Sequence, residues 1–226
     1  MSLHWIQLAV LAVASASIAS PSNAHFVLTA PAATNEQSAV GNPQMDAPCG
    51  DEGAVKTGAL TPFTAGETID VTIDETILHP GHYRVALAIE STNELPQDPI
   101  VTLNEYGSCD TALIQDPPVF PILADGVLAH TSSFAGPQTF QVTLPEDLVC
   151  ERCTLQVIEF TASHSLPCFH HHCAEIQVPE PGAIAAALAA GAALASSARS
   201  RSMARGREHL RRRQQRDDGL GDRREP

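Results

Sequence analysis

Basic residues are nearly missing from the body of this chain, and so is tryptophan. Residues 25–178 carry only Lys56, Arg84 and Arg152 against twenty acidic side chains. A nucleic acid needs a basic face to meet its phosphates, so this acidic body excludes it as a partner. The single tryptophan is Trp5 and the only tyrosines are Tyr83 and Tyr106, which leaves little aromatic surface to stack on a crystalline sugar. A mean hydropathy of -0.04 with 43% hydrophobic residues excludes both wholesale disorder and a polytopic membrane protein. The 226 residues suffice for one sizeable domain with its own core.

Both ends read as addresses. The uncharged apolar run from Trp5 to Ala19 is short for a bilayer span and is followed by Ser22-Asn-Ala24, an A-x-A-like cleavage site. Residues 1–24 are therefore expected to be a signal peptide removed by signal peptidase, leaving His25 as the new N-terminus and the protein exported. At the other end, Val178-Pro-Glu-Pro-Gly182 precedes an uncharged, Ala-rich stretch, and ten arginines follow from Arg199 onward. This order resembles the PEP-CTERM sorting signal of bacterial surface proteins. The resemblance implies a Pro-Glu-Pro motif and anchor over 179–198 and transient membrane association through 182–198. It also implies an Arg-rich tail at 199–226 on the cytoplasmic side, with cutting by a sorting protease. The tail runs further past its first arginine than that pattern usually does.

The six cysteines, Cys49, Cys109, Cys150, Cys153, Cys168 and Cys173, all lie in the body. An even number in an exported chain reads as disulfides. Six cysteines allow fifteen pairings, and a four-thiolate zinc site from Cys150, Cys153, Cys168 and Cys173 is the alternative.

Apolar residues alternate at Ile69, Val71 and Ile73, at Tyr83, Val85, Leu87 and Ile89, and at Phe140, Val142 and Leu144. That period of two is the mark of half-buried strands. Leu155–Phe160 is apolar on both faces, as a central strand would be, and Ile176 and Val178 close the set. No long helical period precedes residue 183 and no internal repeat is visible. The expectation over residues 25–178 is an all-β, immunoglobulin-like or fibronectin-like sandwich with long loops. The proline-rich segment 91–135 is expected to be one long loop, a length that is more often functional than idle.

Eight histidines in the body are more than packing requires: His25, His79, His82, His130, His164, His170, His171 and His172. After cleavage His25 would own a free α-amine, which together with its imidazole can chelate one metal. A second imidazole completes a T of three nitrogens, a set that favours Cu(II).

Three further stretches bear on this. They are Asp74-Glu-Thr-Ile-Leu-His-Pro-Gly-His-Tyr83 after a strand, Cys150-Glu-Arg-Cys-Thr-Leu-Gln156, and Cys173-Ala-Glu-Ile176 on the last strand. With His25-Phe-Val at the mature start, essentially all of residues 25–178 resembles the lytic polysaccharide monooxygenases and their relatives. The resemblance implies a histidine brace for copper, with His25 and His79 as ligands and His82 as the runner-up to His79. It implies an axial residue three positions before Cys173, which is His170, with Phe169 the alternative one residue away. Gln156, Glu159 and His164 become candidates for steering oxygen species or relaying protons behind the ligands. His171 and His172 are read as an adventitious metal-binding surface.

The implied function is that of a secreted copper-dependent monooxygenase that cleaves a polysaccharide oxidatively with electrons from an external donor. The alternative is a non-catalytic copper-binding protein of the cell envelope. A purely structural sandwich adhesin would leave the histidines without a purpose.

Overall fold

The computed structural model describes residues 25–181. The expected signal peptide at 1–24, the expected anchor segment 182–198 and the Arg-rich tail at 199–226 lie outside the described residues. Ten strands and one short 3-10 turn make an all-β sandwich. A three-stranded sheet has the order β1 (His25–Ala30), β3 (Thr68–Ile77), β8 (Gln138–Thr143). A five-stranded sheet has the order β2 (Thr61–Pro62), β10 (Phe169–Val178), β9 (Cys150–Thr161), β4 (Gly81–Ala88), β7 (Ile122–His130). A small hairpin, β5 (Val101–Leu103) with β6 (Cys109–Ala112), stands apart from both.

The alternation in sequence becomes the two faces of each sheet. Ile69, Val71 and Ile73 of β3 and Phe26 and Leu28 of β1 pack on Tyr83, Val85 and Leu87 of β4 and on Leu155 and Val157 of β9, all buried. Each such side chain removed from water contributes about 1.5–3 kcal/mol. The run read as a central strand is β9, flanked by β4 and β10 in continuous antiparallel register.

Segment 91–135 departs from the expected long loop. It holds the 3-10 turn Thr92–Glu94, the β5–β6 hairpin and the whole of β7. The hairpin is short, and β7 is irregular. Left-handed backbone at Gly126 and Leu128 and three register shifts against β4 break the period of two by which a strand is read.

All six cysteines are paired, as Cys49–Cys173, Cys109–Cys168 and Cys150–Cys153, and no free cysteine remains among the described residues. These bridges replace the four-thiolate zinc alternative. Cys49–Cys173 ties the segment after β1 to β10, assisted by Thr34 N donating to the Cys173 carbonyl at 2.7 Å.

Strand β1 is a sheet edge whose outer backbone groups are met by glutamine side chains in place of another strand. Gln37 accepts from Leu28 N and donates to Leu28 O, both at 2.8 Å, and Gln44 Oε1 accepts from Phe26 N at 3.2 Å. Gly41 lies against the same edge with φ +89, where a Cβ would stand 1.9 Å from the Phe26 carbonyl oxygen. Only glycine permits both that backbone and that approach. The strand that begins with His25 is thus held from both sides.

Candidate metal centre

Four histidines from four different elements converge at one end of the sandwich. His25 opens β1, His79 lies in the β3–β4 connection, His164 in the β9–β10 connection, and His170 near the start of β10. Ring centroids are 5.8 Å apart for His25 and His170, 4.9 Å for His79 and His164, and 5.8 Å for His164 and His170.

The backbone dictates which histidines meet. Along β10 the residues of one parity, His170, His172, Ala174 and Ile176, turn toward the sandwich interior, whereas Phe169, His171 and Cys173 turn outward. Phe169 therefore packs on Phe160, centroid to centroid 5.7 Å, in a small outer core with Cys109 and Cys168. His170, not Phe169, joins the histidine group. The same parity on β4 sends His82 outward, where its ring lies 5.2 Å from Phe160, while Tyr83 turns in. His79 stands with the group and His82 does not.

The donor chemistry suits a metal. Burial first, then the nearby imidazoles of His164, His25, His171 and His79, press the His170 pKa down to about 3. His170 is thus a neutral imidazole at any ordinary pH, and neither of its ring nitrogens has a hydrogen-bond partner. His164 Nδ1 donates to the Pro167 carbonyl at 3.3 Å, which leaves Nε2 as the lone-pair nitrogen, buried and without a partner. A ligand histidine is typically fixed in this way, by giving its other ring N–H to a carbonyl. Buried imidazole nitrogens left without hydrogen bonds are costly unless something else engages them. An ion accepting several imidazoles does so, and an all-nitrogen set ranks copper first among divalent first-row metals.

The His164 loop is positioned with care. Cys109–Cys168 bridges its end to the β5–β6 hairpin, Cys109 N donates to the His164 carbonyl at 2.8 Å, and Ser163 N donates to the Cys109 carbonyl at 2.7 Å. Ser163 itself adopts a left-handed backbone, φ 62. His164 thus stands beside the other three, one layer closer than the outer supporting role expected of it.

The remaining expected residues have other roles. Gln156 faces outward on β9 and donates from Nε2 to the Pro48 carbonyl at 2.9 Å, holding the loop that carries Cys49. Glu159 turns to the sandwich interior, in the parity of Leu155 and Val157 on β9. It lies in one cross-strand row with Tyr83 and His170, and its Oε1 accepts from the Tyr83 hydroxyl at 3.1 Å.

The reading of His171 and His172 as an adventitious surface is corrected, because both are 1% exposed. His171 Nε2 contacts Asp98 Oδ1 at 2.8 Å, and His172 Nε2 donates to the Phe26 carbonyl at 3.0 Å. Burial, the largest cause, lowers the His172 pKa to about 4. The strand parity that places His170 inward also encloses its neighbours.

No family model matches the chain, and no curated protein or solved structure matches it either. The functional reading therefore rests on the site itself and on the sequence motifs.

Proposed function

We propose that this chain is an exported copper protein, matured to begin at His25, which uses its copper as a monooxygenase-like oxidoreductase on a polysaccharide. The observation that carries the copper reading is the convergence of His25, His79, His164 and His170, with buried ring nitrogens of His164 and His170 left without hydrogen bonds. His25 would contribute its α-amine and imidazole once residues 1–24 are removed, and His79 and His170 would contribute further imidazoles. Bound copper supplies one-electron chemistry with an external donor and with oxygen or peroxide. The chain's own part is to hold the imidazoles in place before the metal arrives. The motifs around His79, Cys150 and Cys173 support the polysaccharide assignment, as they support an immunoglobulin-like or fibronectin-like type for the sandwich. The Pro-Glu-Pro segment supports release at, or attachment to, the cell surface.

A second reading, copper handling without catalysis, is favoured by His164. A fourth imidazole beside the other three would hold copper more fully by protein side chains, as suits storage or transfer. Ascorbate-driven release of oxidised oligosaccharides from a polysaccharide panel separates the two. Release that requires copper and is lost in His79→Ala supports oxidation. Tight binding of one copper with no oxidised product from any polysaccharide would leave the handling role. No specific copper binding at all would end both.

A further inference from the structure

Behind the four histidines lies a second polar group that the copper site does not use. Glu75 continues the inward parity of Ile69, Val71 and Ile73 on β3 and reaches across to His130 on β7, with Oε1 2.7 Å from Nε2. Glu159 completes the group from β9. One ligand atom from each of the three lies within 4.8 Å of the others. The Glu75 and His130 side chains are 1% and 5% exposed and Glu159 is fully buried, so almost no water reaches them.

Counting donors and acceptors shows what is missing. His130 Nδ1 meets the Leu128 carbonyl at 2.8 Å, and a carbonyl only accepts, so Nδ1 carries the proton. In the neutral ring Nε2 is then a lone pair, and it faces the Glu75 carboxylate, another acceptor. Glu159 Oε1 receives the Tyr83 hydroxyl, while its Oε2 is buried with no hydrogen-bond partner. With that ring neutral, two carboxylates and an imidazole lone pair converge with the Tyr83 hydroxyl as the single donor among them. Buried charge of that kind persists only when it is neutralised. Burial, and then the proximity of Glu75, push the Glu159 carboxyl well above the usual range.

We propose that Glu75, His130 and Glu159 form a second metal site, separate from the four histidines, that binds a divalent cation of the zinc class. Zinc takes four ligands from histidine nitrogen and carboxylate oxygen, whereas calcium and magnesium need six or more oxygens or several waters. Copper is drawn first to the all-nitrogen group next door. The histidine here has the expected partner, its second N–H given to the Leu128 carbonyl. That carbonyl is turned to it by left-handed backbone at Leu128, φ 50. Tyr83 orients the Glu159 carboxylate in the same manner. The cation joins β3 of one sheet to β7 and β9 of the other. It also lies behind His170, the cross-strand neighbour of Glu159.

The alternative is that protons alone, on His130 and Glu159, neutralise the group. Elemental analysis of the exported protein after equilibration with zinc and copper decides between them. Wild type should hold about one zinc per chain in addition to copper, Glu159→Gln and Glu75→Gln should lose the zinc and keep the copper, and His25→Ala should lose only the copper. Should the carboxylate variants fail to fold, the melting temperature of His25→Ala prepared with and without zinc gives an independent reading, and zinc should raise it. Wild type without zinc, equal zinc in wild type and Glu159→Gln, or a melting temperature that ignores zinc would each overturn the proposal in favour of protons only.

Discussion

Acid should destabilise the metal-free protein in part through His170, and the size of that contribution follows from its surroundings. In the folded chain His170 takes a proton only near pH 3, because burial and four neighbouring imidazoles oppose its charge, against an ordinary value of 6.5. The unfolded chain therefore binds a proton here first as pH falls. The stability tied to a neutral His170 is complete above about pH 6.5 and is lost progressively toward pH 3. At about 1.4 kcal/mol per pH unit, the loss between about pH 6.5 and pH 4 is roughly 3 kcal/mol. That is a large share of the 5–15 kcal/mol by which domains are typically stable.

The assay is chemical denaturation of the metal-free protein at several pH values, wild type beside His170→Phe. Any repacking cost in the variant shifts every pH alike, so the slope carries the information. His172, lowered to about 4, adds the same acid dependence to both proteins. Wild type should lose roughly 3 kcal/mol more than the variant over the interval. Equal slopes would refute the picture of a desolvated, neutral His170.

Three further outcomes follow from the geometry. His79→Ala should lower copper affinity by well over the roughly 10–100-fold typical of an outer partner, while His82→Ala, whose ring packs outward on Phe160, should leave it nearly unchanged; titration calorimetry of both variants checks this. Cys109→Ser with Cys168→Ser removes a bridge spanning 59 residues, and about 4 kcal/mol of stability should go with it in a thermal melt, together with weaker copper binding as the His164 loop loosens. Gly81→Ala would put a Cβ 1.9 Å from the Phe160 carbonyl oxygen, forcing β4 from β9 beside His79, so both melting temperature and copper affinity should fall together.

Much of the sandwich was legible because its central strands alternate cleanly. Tyr83, Val85 and Leu87 became the inner face of β4, and Leu155–Phe160 became part of the central strand β9. The hidden part was β7, where Gly126 and Leu128 in left-handed backbone break the period and leave no pattern to read.

The site divides in the same way. His25 and His79 were visible from their motif, but the choice between His170 and Phe169 needed strand parity. The inward series Ile176, Ala174, His172, His170 was present in the sequence and, extended back from Ile176, selects His170. The place of His164 depends on a loop whose path is set by the Cys109–Cys168 bridge, a pairing that spacing does not reveal. Nothing in the sequence joins Glu75 to His130. They are 55 residues apart and meet only because two sheets face each other.

The most direct test of the copper assignment is electron paramagnetic resonance of the Cu(II)-loaded exported protein, compared with His25→Ala, His79→Ala, His164→Ala and His170→Ala. One copper per chain is expected, with nitrogen hyperfine structure that changes in each of the four variants and not in His82→Ala. A spectrum of loosely held copper, or one indifferent to all four substitutions, would contradict the assignment.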